Sequence, residues 1–267
     1  MTHTKTAESL HPNLHLKRDG AIHTLRIDRE DKLGALNFAI MEALGRYIDG
    51  LADDQSCRVL VITGTGKGFV AGADIDGYHG ATQSAFDGFQ RRSRRTFDAL
   101  AALPQITICA VNGYALGGGL ELALCCDLIL VAERAKLGLP EIKLGLLPGG
   151  GGTQRLPKLV GAMRAKELLL TGRMMTADEA VAYGAALEVL PQEKLTERAD
   201  ELARDLASQA PIALAEGKRV IDDGLQSPLA SGLTFEQRVL GALYATDDAK
   251  EGINAFVEKR DPNWSGR

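Results

Sequence analysis

The chain has no histidine beyond position 79: His3, His11, His15, His23 and His79 all fall in its first third. Nucleophilic serine and cysteine catalysts pass their proton through a neighbouring imidazole. A Ser-His-Asp or Cys-His site in the later chain would have to borrow His79 or His23. No H-E-x-x-H pattern occurs either, which removes the commonest zinc-peptidase arrangement. The four cysteines, Cys57, Cys109, Cys125 and Cys126, make no C-x-x-C pair, and three lie in apolar runs. They read as reduced, buried thiols of a cytoplasmic protein rather than metal ligands or disulfides. No apolar run approaches the roughly 20 residues that a membrane helix needs. The net charge of -4 gives no bulk attraction for nucleic acid. The first 13 residues are polar and lack the basic-then-apolar order of a signal peptide, so they read as a disordered tail. No metal or redox cofactor site is visible, and no internal repeat. If the chain is an enzyme, carboxylates are its proton carriers.

Apolar patterning predicts strands at 14–17 and 22–27, joined at the turn dipeptide Asp19-Gly20. It predicts a helix at 38–51, where Ile40, Met41, Leu44, Tyr47, Ile48 and Leu51 recur at helical spacing. A buried strand at 58–63, a glycine-rich loop at 64–72, and a helix at 84–103 stopped by Pro104 come next. Strands at 106–111 and 127–132 complete an alternation that implies an α/β fold, with a largely parallel sheet covered on both faces. Thr176 and Glu179 are spaced as a capping box, opening a helix that ends near Gly184. After a strand at 187–190, helices are expected at 193–208, 212–223, 233–244 and 247–259.

The glycine triplet Gly117-Gly118-Gly119 runs directly into Leu120-Glu121 and an apolar stretch. A helix start leaves backbone N–H groups unpaired, and glycine lets a ligand approach them. Such amides hold a negative charge developing on a carbonyl oxygen. Glu121 falls in the first turn, within an otherwise apolar run where a lone carboxylate is expensive unless paired or functional. A salt bridge to an arginine is the bland alternative. Glu141, after Pro140, brings a second carboxylate; alone it would be an ordinary loop residue. Together they suggest proton transfer beside a polarised carbonyl. Gly66-Lys67-Gly68 fits the start of a dinucleotide fingerprint, but the residues after it do not open a helix. The cluster Arg91, Arg92, Arg94 and Arg95 reads as a solvated helix face.

These residues resemble a known family. Phe69-Val-Ala-Gly-Ala-Asp-Ile75, Ala110-Val-Asn-Gly-Tyr-Ala-Leu-Gly-Gly-Gly-Leu-Glu121, Pro140-Glu-Ile-Lys-Leu-Gly145, Pro148-Gly-Gly-Gly-Gly-Thr-Gln-Arg155 and Phe256-Val-Glu-Lys-Arg260 occur in order. This pattern is similar to that of the enoyl-CoA hydratase/isomerase (crotonase) family, from about Leu14 onward. The resemblance implies a spiral of β-β-α turns over 14–190. It also implies a helical region, 191–267, that covers the active site and assembles the chain into trimers or hexamers. It implies an acyl-CoA thioester substrate, with no separate cofactor, metal, nucleic-acid or membrane partner.

By the same resemblance, the amides of Ala73 and Gly118 form an oxyanion hole. Glu121 activates water for attack at C3 of a trans-2-enoyl-CoA, and Glu141 delivers a proton to C2. Ala71, Asp74, Ile75, Asp76, Gly149 and Lys259 are implied in binding the thioester and CoA. Retention of both glutamates favours hydration over Δ3-Δ2 isomerisation, a specialised hydratase/lyase reaction, or a non-catalytic scaffold or RNA-binding role. Two departures stand out. Glu30 and Gly34 replace a proline and an asparagine usual in the family, and Asp76 replaces a lysine that would meet CoA phosphates. Lys259 or an arginine, from this chain or a neighbouring subunit, is expected to take over that contact.

Overall fold

A computed structural model describes residues 5–267. The chain builds β1 (Lys5–His11), β2 (Leu14–Asp19), β3 (Ile22–Ile27), α1 (Phe38–Leu51), β4 (Val59–Gly64), β5 (Gly68–Val70) and α2 (Gln83–Ala101). It continues through β6 (Ile106–Val111), β7 (Tyr114–Leu116), α3 (Gly118–Ala123), β8 (Leu128–Ala132), β9 (Lys136–Gly138), α4 (Gly152–Val160), α5 (Ala162–Thr171), β10 (Met174–Thr176) and α6 (Ala177–Ala182). After β11 (Glu188–Leu190), only helices occur: α7 (Leu195–Ala207), α8 (Pro211–Gly224), α9 (Leu229–Tyr244) and α10 (Asp247–Glu258), with a short 3-10 turn before α7.

The main sheet has the order β1-β2-β3-β4-β6-β8-β11. Its first three strands are antiparallel neighbours, and every pairing from β3 onward is parallel. The central strands are buried on both faces, and alternate side chains separate two cores. Leu60, Ile62, Cys109, Val111, Ile129 and Val131 join the larger core with α1, α2 and α3. Val59, Val61, Ile108, Ala110, Leu130 and Ala132 face a smaller one, capped by Leu195, Ala199 and Ala203 of α7. Because side chains alternate with period two, a one-residue slip of β4 would exchange the two sets.

A second sheet, β10-β9-β7-β5, was not expected from the sequence. Its strands are three residues each, too short for a periodic signal. β5 and β7 carry the chain into the two glycine-rich loops that bear Ala73 and Gly118.

Two expectations need correction. The segment read as a disordered tail, 1–13, contains β1, which pairs antiparallel with β2; residues 1–4 lie outside the described residues. The alternation is too irregular there to reveal an edge strand that takes its order from a partner. Helices α4 and α5 fill 152–171, a stretch where the sequence pattern predicts no element. Pro157 lies inside α4, and glycines flank both helices, which blurs the periodic signal. The capping box is formed: Thr176 accepts from the Glu179 N–H, and the Glu179 carboxylate accepts from the Thr176 N–H. The arginine cluster on α2 is solvated, with Arg94 paired to Asp98 and Arg95 to Asp49. Among the described residues no helix is long and apolar enough to cross a membrane.

Candidate active site

Gly117 enters α3 with φ 51° and ψ -123°, and its N–H donates to Gly138 O of β9 at 2.9 Å. Only glycine adopts that conformation without strain. Gly118 is then the first helical residue, and its N–H has no intrahelical acceptor.

Ala73 forms a parallel bridge with Leu36. The Leu36 N–H donates to Gly72 O and the Asp74 N–H to Leu36 O, each at 2.8 Å. That pattern turns the amide of Ala73 itself away from Leu36. A β-carbon built on Gly118 would lie 4.0 Å from Ala73 N. The two glycine-rich loops therefore bring the Ala73 and Gly118 amides together.

Glu121 sits one turn into α3 and is 3% exposed. The bland alternative, a salt bridge, is not what holds it. Its Oε1 accepts from the N–H groups of Gly150 at 2.7 Å and Gly152 at 2.8 Å. Burial pushes the Glu121 carboxyl above its usual range; these amides, and the charge of Arg155, oppose that rise. A β-carbon on Gly150 would meet Glu121 Oε2 at 2.7 Å, so the loop must be glycine to cradle the carboxylate.

Glu141 occupies a 3-10 turn, Pro140–Leu144, closed by Gly145 at φ 71°. Its Oε2 is buried with no partner among the described residues. Burial, with the neighbouring Glu121 charge adding to it, pushes Glu141 up to about 7. Two carboxyl groups thus lie within electrostatic reach of one another in different surroundings: one held by two amides, the other buried without a partner among the described residues.

The remaining expected residues separate. The Ala71 N–H is used by Leu33 O at 3.0 Å. Asp74 pairs with Arg29 at 2.7 Å, both side chains mostly buried, and caps the 3-10 turn Ile75–Gly77. Ile75 is exposed. Asp76 pairs with Lys32 at 2.8 Å, so a cation stands beside the position where the lysine is missing. Gly149 lies next to the side-chain amide of Gln90. Lys259 ends α10 in the left-handed conformation, φ 56°. Within one chain α10 packs on α9 and on the C-terminal segment, where Asp248 accepts from Ser265 and Gly266.

One wall of the site comes from the loop and helix between Gly77 and Arg95, the segment that the family resemblance implies for the wall of the acyl pocket; the sequence does not say which of its residues meet the glutamates. Tyr78 lies within electrostatic reach of Glu121 and Glu141, and burial pushes its hydroxyl up to about 12. Gln90 of α2 donates to the Tyr78 hydroxyl at 3.3 Å, and Tyr78 packs edge-on against Phe86 and Phe89. A β-carbon on Gly150 would touch the Phe97 ring. The helical pattern of α2 marks an apolar face but not which residues meet a loop some 50 positions later.

The sequence pattern of the enoyl-CoA hydratase/isomerase family matches residues 17–267. The chain belongs to that family. It is 38% identical to a crotonyl-CoA hydratase of Syntrophomonas wolfei, covering 94% of this chain and 97% of the relative. It is 36% identical to a short-chain-enoyl-CoA hydratase of Clostridium acetobutylicum, covering 93% and 95%. The crystal structure of an enoyl-CoA hydratase from Bacillus anthracis superposes with a TM-score of 0.93 at 39% identity, covering 96% of this chain and all of that one. The crotonase fold implied by the motifs is therefore the fold observed, including the helical C-terminal region.

Proposed function

We propose that this enoyl-CoA hydratase adds water to a trans-2-enoyl-CoA through a thioester enolate, with Glu121 and Glu141 dividing the proton transfers. The observation that carries this reading is the pair of carboxyls beside two converging amides. The Ala73 and Gly118 N–H groups receive the thioester oxygen, and their hydrogen bonds strengthen as charge gathers on it. Glu121, ionised and fixed by Gly150 and Gly152, orients water and takes its proton as oxygen attacks C3. Glu141, protonated up to about 7, gives its proton to C2. Water's oxygen and one hydrogen end on C3 and a hydrogen ends on C2, giving the 3-hydroxyacyl-CoA; the proton left on Glu121 passes to Glu141 through solvent before the next turnover. In this reading water and proton reach the same face of the double bond, so addition is syn. No metal is required by this scheme.

Ala71, Ile75 and Gly149 line the path of the thioester, and the pairs Arg29–Asp74 and Lys32–Asp76 flank the CoA end. The apolar faces of α8, α9 and α10, with Leu225, Leu229 and Phe256 each more than three-quarters exposed, support assembly into a trimer or hexamer. In that assembly Lys259 reaches CoA from a neighbouring subunit. The four free cysteines are consistent with a reducing cytoplasm.

The test is loss of enoyl-thioester absorbance with crotonyl-CoA, for the wild type and for Glu121→Gln and Glu141→Gln. Each substitution should lower kcat by roughly 10²–10⁴-fold, the usual effect of removing a positioned acid or base. Wild-type inactivity toward crotonyl-CoA and longer enoyl thioesters, or turnover that survives Glu121→Gln, would overturn the reading in favour of isomerase or lyase chemistry.

A further inference from the structure

The loop that holds Glu121 is itself held. Arg155, in the first turn of α4, donates from Nη1 to Gly150 O at 2.9 Å. Gly150 is the residue whose N–H binds Glu121 Oε1 at 2.7 Å. The second arm of the guanidinium reaches back to α2, with Nη2 3.0 Å from Asp98 Oδ1. Asp98 is braced in turn by Arg94 at 2.6 Å through its other oxygen. One planar fork therefore joins three elements: the glycine loop, α4 and the helix bearing Gln90 and Phe97.

The glycine loop cannot fix itself. Gly151 has φ 111°, and residues 149–152 have no side chain to pack. The Gly150 carbonyl belongs to the 150–151 peptide, between the two peptides that carry the Gly150 and Gly152 N–H groups. A guanidinium bonded to it holds that central plane and restrains both neighbours, and the Gly151 N–H of the same plane also favours ionised Glu121. A lysine could supply the charge but not both directed arms at once.

We propose that Arg155, anchored by Asp98, is a positioning residue for hydration that holds the Gly150–Gly151 peptide and, through it, the glycine-loop amides that orient Glu121. This rests on the reading of Glu121 as the general base. Arg155 touches no reacting atom; it acts through Gly150. Its charge also favours the ionised form of Glu121. The other titratable groups facing that carboxyl are Glu141 from the 3-10 turn, Tyr78 from the loop before α2, and Cys125 just beyond α3; Asp98 balances Arg155 from α2.

The experiment measures kcat, KM and the pH profile with crotonyl-CoA for the wild type, Arg155→Met, Arg155→Lys and Asp98→Asn, alongside thermal unfolding. For Arg155→Met, kcat should fall about 10- to 100-fold, as expected for a misaimed catalytic group, with KM within about threefold. Its acid limb should move to higher pH, because Glu121 loses a neighbouring cation and ionises later. Arg155→Lys should restore the acid limb and leave kcat reduced. Asp98→Asn should lower kcat by a few fold with the limb near its wild-type position, since the arginine charge remains. An active wild type with an Arg155→Met variant of near-normal kcat and unmoved acid limb overturns the proposal alone. So does a rate that falls only in step with unfolding temperature, with the lysine variant no better than the methionine one. A wild type that does not hydrate enoyl thioesters overturns the reading of Glu121, and the proposal with it.

Discussion

Gly117 and Glu141 exclude a side chain between them. A β-carbon on Gly117 would stand 2.8 Å from Glu141 Oε1, on a backbone already at φ 51°. The entry to α3 and the Glu141 carboxyl are therefore shaped together. Gly117→Ala should fold but lose activity, with kcat down by at least about tenfold, since small misplacements of a catalytic group are this costly. Steady-state kinetics beside far-ultraviolet circular dichroism would check it; unchanged kcat would mean the 2.8 Å approach is unimportant.

The proposed division of labour requires Glu121 ionised and Glu141 protonated. Since Glu141 releases its proton at about 7, kcat/KM should fall as pH rises through that value. The acid limb belongs to Glu121, which lies above the ordinary carboxylate range. The result is a bell whose basic side sits near neutrality. A profile flat from about pH 6 to 9 would contradict the assignment.

The same burial makes Glu141 a stability liability above neutrality. Its folded pKa of about 7 lies above the unfolded glutamate value, so its favourable contribution is present at low pH and lost as pH rises through 7. Glu141→Gln carries no such charge. After allowance for partial exposure, it should be more stable than wild type by about 1–2 kcal/mol at about pH 8, with the gain shrinking toward about pH 4.5. Urea unfolding at the two pH values decides this; equal differences would mean burial is not the cause.

An oxyanion role for the Gly118 amide is testable without touching a side chain. Proline is tolerated at the first helical position, where the N–H has no intrahelical partner. Gly118→Pro therefore removes the amide and keeps the helix start. It should lower kcat by about 10²–10³-fold, the usual loss for one oxyanion donor. Turnover near wild type would remove Gly118 from the site.

Much of this was legible because long periodic elements announce themselves. The helix over 38–51 and the strand over 106–111 have the predicted bounds. The lone carboxylate of Glu121 in an apolar run stood out because burial without purpose is costly. What stayed hidden was long-range. Nothing local ties Gln90 to Gly149, or Asp98 to Arg155, 57 residues away. The three-residue strands that aim Ala73 and Gly118 take their shape from one another rather than from their own sequence. Edge strand β1 was hidden for the same reason.

The four consecutive glycines at 149–152 have a thermodynamic side. Each loses more freedom on folding than alanine would, by roughly 0.5–1 kcal/mol, so the cradle gives up about 2–4 kcal/mol of conformational entropy. It cannot be recovered in place, because β-carbons at 150 and 152 would press on Glu121. At Gly50, Gly88, Gly217 and Gly241, all in helices, an added β-carbon meets nothing within 4 Å. The slack that holds Glu121 is compensated by the rest of the fold, and room to increase that compensation lies in the helices, not in the site.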